Sequence, residues 1–343
     1  MELRLDSVPR TLSALGLLDL AEIVDGDLDV VQISRRNQSF RVRRTTGCGY
    51  VMKCPGSGLA TAHTSSCEQA FYAFAAADPR VAALRVHLPR MVHAERGLIV
   101  TEYIAARPAA RPLGGGVAAE LGAALARLHA IPVDDELVTR LAPIARSTPW
   151  ILQAVRPVPE LLATISSANA VALGILRAEP VFEACFDELA RTARHDAFVH
   201  GDIKSDNLLV REQAGAPLAI VDWELVHFGD RAWDLGCAFY DLLAPWLYGA
   251  AAATPAPGVL AGAQVAIRAL WSAYLAASPS LLEPGRELLA RAIRFAAARL
   301  VQGAYELDQF AYGPSRASVL HVQAAANIFA DADGAARTLF GIR

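Results

Sequence analysis

Between Ser39 and Arg44 apolar and polar positions alternate, with Phe40 and Val42 set against Arg41 and Arg43. Period two of this kind predicts a half-buried β-strand. A strand begin at Val30-Val31-Gln32-Ile33 precedes it across the turn Ser34–Gln38, and Gly47 and Gly49 lead into a third strand, Tyr50–Cys54. Leu88–Val92 and Leu98–Thr101 predict a further strand pair around Ala94–Gly97. Ahead of these strands Leu12, Leu15, Leu18 and Leu20 mark an amphipathic helix over Val8–Leu20, and Cys67–Ala77 reads as a second helix. Ala105–Gly116 is rich in proline and glycine, the composition of a linker. Beyond it the period changes to 3.6. Val117, Leu121, Ala124, Leu125 and Leu128 share one helical face that ends at His129. Residues 131–195 are broken by Pro143, Pro149, Pro157 and Pro159, and helical patterns return over 259–277, 284–311 and 316–330. The expected class is α+β in two lobes. A small antiparallel sheet with one helix occupies 1–104, and a larger, mostly helical part occupies 105–343.

One stretch of the helical part does not fit a helix. Phe198–Glu224 contains two short β-type runs, Asn207–Val210 and Leu218–Val221, separated by a polar turn with Gly215 and Pro217. This predicts a hairpin. His200, Asp202, Lys204, Asp206 and Asn207 precede its first strand, while Asp222 and Glu224 follow its second. An antiparallel hairpin brings those ends together, so Asp202, Asn207 and Asp222 should converge. Two carboxylates and an amide oxygen are hard ligands suited to Mg²⁺. Phosphoryl transfer depends on such a set, because its catalysis is mostly positioning and neutralisation of charge.

Composition narrows the class. Of 343 residues, 54% are apolar and 20% charged, which excludes a disordered chain. A net charge of −3 gives no electrostatic footprint for nucleic acid. Cys48, Cys54, Cys67, Cys185 and Cys237 form no CxxC pair and match no standard zinc spacing, so a reduced, cytoplasmic setting is expected. The opening Met1–Asp6 is polar, unlike a signal peptide. Leu242–Ile267 is uncharged over more than a membrane span, yet it carries Pro245, Pro255 and Pro257 and reads as a buried helix end followed by a loop, so no membrane association is expected. The arginines between Arg35 and Arg44 are the one dense basic patch. They read as a solvated strand face, with a grip on nucleotide phosphates or on an acidic partner as the sharper option.

The order H-G-D-x-x-x-x-N followed by D-W-E, at His200–Asn207 and Asp222–Glu224, resembles the aminoglycoside phosphotransferase and choline kinase families, relatives of the protein kinases. The resemblance implies a bilobal protein-kinase-like fold and use of ATP, or GTP, with Mg²⁺. It makes Asp202 the catalytic aspartate, Asn207 and Asp222 the metal-binding residues and Glu224 a second carboxylate at the metal. Asp234, in GDRAWDLG, matches the acid that braces the catalytic loop, and His200 would support the same loop. Lys53 resembles the strand lysine that grips the phosphates, with Glu68 as its partner. Asn37 resembles the polar residue of the turn that covers them. Glu102–Ile104 falls where such folds hold the nucleotide base through backbone groups. His129 reads as structural. No Walker motif occurs, which argues against a P-loop kinase.

The acceptor is open between two chemistries. One is a small hydroxylated molecule such as an aminoglycoside, another antibiotic or an amino alcohol; for a cationic acceptor Asp187, Glu188, Glu306 and Asp308 would form an acidic wall. The other is a Ser/Thr peptide or protein, including the precursor of a modified peptide natural product. It rests on Lys204, placed two residues after Asp202 as in Ser/Thr kinases, and on the Arg35–Arg44 patch. A pseudokinase or scaffold is the non-enzymatic alternative.

Overall fold

A computed structural model describes residues 4–34, 38–45, 47–54, 59–95, 97–157, 165–252, 257–278 and 285–342. In chain order its helices are α1 (Val8–Ala14), α2 (Leu20–Val24), α3 (Leu59–Ala77), α4 (Gly115–His129), α5 (Asp135–Arg140), α6 (Ser167–Ala178), α7 (Pro180–Thr192), α8 (Arg231–Ala251), α9 (Val259–Ala276), α10 (Gly285–Leu307), α11 (Arg316–Ala330) and α12 (Ala332–Thr338). The strands are β1 (Leu28–Ser34), β2 (Gln38–Arg44), β3 (Gly49–Cys54), β4 (Met91–Glu95), β5 (Leu98–Glu102), β6 (Ala106–Pro108), β7 (Ala197–Val199), β8 (Leu208–Arg211), β9 (Ala219–Ile220) and β10 (His227–Gly229). The chain divides into two compact units. The first comprises Met1–Pro108, Asp134–Ala145 and Asn207–Val226; the second comprises Ala109–Val133, Arg146–Asp206 and His227–Arg343.

In the first unit an antiparallel sheet runs in the order β1-β2-β3-β5-β4. Its even-numbered residues Phe40, Val42, Met52 and Cys54 form a buried core with Val8, Leu12 and Leu18. Because side chains alternate along a strand, Lys53 points to the opposite face. The helix expected over Val8–Leu20 is shorter: α1 stops at Ala14, and α2 begins only at Leu20. Gly16, at φ +70°, ends the first one. The Leu17 N–H then returns to Leu12 O at 2.9 Å, the 6→1 bond of a glycine-terminated helix. Leu20, placed on the apolar face by the pattern, is 72% exposed. A second sheet, β6-β8-β9, contains the expected hairpin and also Ala106–Pro108, which the composition had assigned to a linker.

The second unit is helical around one short strand pair, β7 with β10. Here α9 lies along α4, and α10 lies against α8 and α11. By length and composition α9 could cross a membrane. It packs one face inward, through Ala263, Ala266, Ile267, Leu270, Trp271 and Tyr274. Within the stretch read as proline-broken, α6 and α7 are regular helices. Ser166 Oγ accepts the Asn169 N–H at 3.0 Å at the start of α6, and Pro180 opens α7. The α+β class read from the sequence is therefore the class of the structure.

Candidate active site

In the first unit Lys53 is held at one point by three elements. Its strand β3 is central, pairing Ser39↔Lys53 on one side and Lys53↔Ile99 on the other. Its Nζ lies 2.7 Å from Glu68 Oε2 of α3, 2.5 Å from Asp222 Oδ1 and 3.6 Å from Glu224 Oε2. On α3, Phe71 stands one turn after Glu68 and stacks on Trp223, with centroids 4.1 Å apart and planes 15° apart. Trp223 is fully buried, and its Nε1–H donates to Ile220 O at 2.9 Å. One face of α3 thus fixes the lysine through Glu68 and the Asp222–Glu224 turn through Phe71.

Charge accounts for the tightness of the cluster. Burial alone would lower the Lys53 pKa, but Glu68, Asp222 and Glu224 outweigh it and hold the ammonium above the ordinary lysine range. Burial raises the Glu68 carboxyl, against the pull of Lys53, to about 7. Asp222 has φ 67°, ψ 58°, the left-handed region that costs a non-glycine residue about 1–2 kcal/mol. It is the one non-glycine residue with positive φ among those described. Strain of that kind collects at functional positions.

The donor set fits a hard divalent cation. Val221 N–H donates to Asn207 O at 3.0 Å and Leu208 pairs with Ile220, so Asn207 and Asp222 stand side by side at the open end of the hairpin. Lys53 already shows that Asp222 draws a cation. Among the described residues no three His, Cys, Asp or Glu side chains form a closed metal cage. A cation here would rest on Asp222 and the Asn207 amide, with Glu224 nearby, and take its other ligands from phosphate and water, as Mg²⁺ commonly does.

The second unit carries a polar cluster of its own. Strand β7 delivers the chain into His200-Gly201-Asp202, and Phe198 packs on Phe228 of β10 with centroids 4.7 Å apart. Asp234 of α8 is fully buried and accepts two backbone N–H groups, from His200 at 2.8 Å and from Gly201 at 3.0 Å. Gly201, at φ +86°, supplies the turn that aims both at one carboxylate. His200 Nδ1 accepts the Asp202 N–H at 3.2 Å. Lys204 Nζ sits 2.5 Å from Asp202 Oδ2. His129 lies between Tyr274 Oη (3.1 Å) and Asp234 Oδ2 (3.2 Å). Burial lowers its pKa, so it is a neutral donor that holds an ionised Asp234.

Three residues of this region escaped the sequence reading. Asp241, two turns beyond Asp234 on α8, accepts the Ser205 N–H at 3.0 Å and also the Ser205 hydroxyl. Arg111 bridges Asp241 (3.3 Å) and Asp206 (3.1 Å). Arg299 of α10 is buried 4.0 Å from Asp202 Oδ1. The i, i+7 spacing of Asp234 and Asp241 was visible; nothing in the sequence marked the arginines.

Glu102 ends β5 with its carboxylate on Arg90 and its N–H on Arg90 O at 2.8 Å, and Ile104 is half-buried just after it. Asn37, Arg35 and Arg36 lie outside the described residues. The rest of the basic patch is engaged locally: Arg41 and Arg43 meet Asp29 at 3.0 and 3.9 Å, and Arg44 meets Glu22 at 2.6 Å. The four acids considered as a wall for a cation are engaged as well. Asp187 pairs with Arg156, Glu188 with Arg294 at 2.8 Å and Glu306 with Arg299 at 3.0 Å. Asp308 accepts from Ser315 N–H at 3.0 Å and from the Ser318 hydroxyl.

The family model described as APH, phosphotransferase enzyme family, matches residues 29–274. The chain belongs to this family. It is a phosphotransferase acting on hydroxyl groups. Solved structures agree in fold. A Plasmodium vivax ethanolamine kinase superposes with a TM-score of 0.60 at 14% identity, covering 93% of this chain and 86% of that one. An aminoglycoside 2′-phosphotransferase solved with GDP gives 0.59 at 15% identity, covering 95% and 99%. A choline kinase from Streptococcus pneumoniae gives 0.56 at 16%, covering 95% and 98%. The phosphotransferase thus has the kinase-like fold expected of it. No curated protein sequence matches the chain.

Proposed function

We propose that this phosphotransferase moves the terminal phosphoryl group of ATP, with Mg²⁺, onto a hydroxyl of a small molecule in the cytoplasm. The observation that carries the reading is the Lys53 ammonium held between Glu68 and Asp222 at 2.7 and 2.5 Å. A half-buried cation paired in this way suits the grip on nucleotide phosphates. The metal, when bound, neutralises charge on the phosphates. Asp222 and Asn207 would hold it, with Glu224 assisting. Asp202 orients the acceptor hydroxyl and takes its proton as the new oxygen–phosphorus bond forms; the bond to the departing nucleoside diphosphate breaks. Lys204, on the second oxygen of Asp202, faces the charge of the moving phosphoryl group.

The neighbours that bear on the acceptor are named as kinases of ethanolamine and choline and as a phosphotransferase of aminoglycosides. Charge discriminates among these classes. With Asp187, Glu188, Glu306 and Asp308 engaged inside their own unit, a polycation gains little from them, so a neutral or singly charged alcohol is the better acceptor. The basic patch invoked for an acidic peptide is equally engaged where it is described.

The test gives purified protein Mg²⁺-ATP, or Mg²⁺-GTP, with a panel of aminoglycosides, macrolides, choline, ethanolamine and neutral polyols. Release of nucleoside diphosphate above the no-acceptor rate, with a product heavier by one phosphoryl group, is expected for a weakly charged member. Nucleotide binding without transfer to any acceptor would argue for a scaffold instead.

A further inference from the structure

We infer that Arg299 is a positioning residue for Asp202, an inference that rests on Asp202 orienting the acceptor hydroxyl. Arg299 lies on α10 with its side chain 3% exposed. Its Nη2 is 4.0 Å from Asp202 Oδ1 and 3.0 Å from Glu306 Oε2. Its guanidinium lies over the ring of Tyr240, 4.7 Å from the centroid. Its Nη1, also buried, makes no hydrogen bond among the described residues.

A buried guanidinium is costly, and one with an unsatisfied nitrogen is more so. A methionine would fill the same space against Tyr240 without that cost, so packing alone gives no account of the arginine. Its placement does. Lys204 approaches Oδ2 of Asp202 while Arg299 stands on the Oδ1 side, so the carboxylate lies between two fixed cations. At 4.0 Å Arg299 is beyond hydrogen-bond range. It acts through its field and does not compete with an acceptor hydroxyl for the oxygen. Buried from water, that field is only weakly screened.

The surroundings hold the arginine still. Tyr240 belongs to α8, the helix whose Asp234 and Asp241 hold the loop backbone. Gly303, one turn beyond Arg299 on α10, admits the Tyr240 phenol, whose oxygen would collide with any Cβ there. Glu306, a further turn on, fixes Nη2. A planar, always-charged group stacked on an aromatic ring keeps one orientation, which a lysine could reproduce only in part.

The experiment measures turnover of Mg²⁺-ATP with the acceptor found in the panel above, or with water where none is found, for Arg299→Met, Arg299→Lys, Asp202→Asn and the double variant Asp202→Asn/Arg299→Met. Arg299→Met should lower kcat about 10–100-fold, the scale of a mispositioned reacting group, while KM for ATP stays within about twofold. Arg299→Lys should recover part of the loss. In the Asp202→Asn background Arg299→Met should add almost nothing, because residues that act as one unit are non-additive. A purely structural arginine would give equal losses in both backgrounds, and that result overturns the inference, as does wild-type kcat in folded Arg299→Met. If Arg299→Met does not fold, Arg299→Lys in the two backgrounds makes the same comparison. Unchanged turnover in Asp202→Asn would remove the reading of Asp202 itself, and the role of Arg299 with it.

Discussion

Asp234 and Asp241 stand two turns apart on α8 and grip opposite ends of one loop. Asp234 accepts from His200 and Gly201 at 2.8 and 3.0 Å, and Asp241 accepts from Ser205 at 3.0 Å. The loop that carries Asp202 is therefore tied at both ends to one rigid helix, and its middle has little freedom to drift.

Asp241 should accordingly matter for turnover without touching substrate. Burial pushes its carboxyl above the usual range, against Ser205 and Arg111. Asp241→Ala leaves the Ser205 N–H and hydroxyl without their acceptor and Arg111 with Asp206 alone, a loss of about 1–3 kcal/mol of stability. The expected result is a lower melting temperature together with a fall in kcat of about tenfold or more. Wild-type kcat in the folded variant would mean that Asp234 alone sets the loop.

The pairing of Lys53 with Glu68 predicts coupling. Lys53→Ala should weaken ATP use severely and Glu68→Ala less, since Glu68 works by orienting the lysine. Their double variant should cost no more than Lys53→Ala. Additive losses in kcat/KM for ATP would show that the 2.7 Å contact is incidental to nucleotide use.

At Asp222 the informative variant is Asn, which tolerates the left-handed backbone as well as Asp does. Asp222→Asn should lower kcat by about 10²–10³-fold or more, because a fixed charge beside the phosphates is removed. The protein should fold normally. Titration of Mg²⁺ at saturating ATP should need a higher concentration for half-maximal rate. Near-normal turnover would falsify the metal assignment.

His321 predicts a pH dependence of stability. It is fully buried among Tyr240, Tyr248 and Arg299, with Asp308 also acting on it, and its Nδ1 donates to Ala317 O at 2.7 Å. Burial, with the nearby Arg299 charge, lowers its pKa, so it stays neutral in the folded chain. Below an unfolded value of about 6.5 the unfolded chain takes up a proton that the folded chain refuses. The stability that His321 contributes is present above that pH and declines as pH falls through it. Between pH 7.5 and 5.5 the denaturation midpoint of wild type should drop more than that of His321→Gln. Comparing the two proteins cancels the other titrating groups; parallel declines would contradict the assignment.

Much of this was legible in the chain. The alternation Phe40/Arg41/Val42/Arg43 and the i, i+4 spacing of Val117 and Leu121 fix strands and helix by short-range periodicity, which needs no tertiary information. The Lys53–Glu68–Asp222 group was legible only through motif order, because its members lie far apart in sequence. Arg299 was not legible. An arginine on a helix reads as solvent-facing, and burial against Tyr240 depends on the packing of α8 on α10. The early stop of the helix expected over Val8–Leu20 was missed for a different reason: Gly16 was visible, but the leucine spacing on either side of it looked continuous.

The glycine at position 303 sets a limit on how this enzyme can be hardened against heat. In mid-helix, alanine is favoured over glycine by about 1 kcal/mol, so the exchange is among the first an engineer would try. Here the added methyl group would meet the Tyr240 phenol. Any thermal gain would be opposed by displacement of the ring beneath Arg299. A library selected for heat resistance alone would be expected to reject alanine at this site, and one selected for turnover should reject it more strongly.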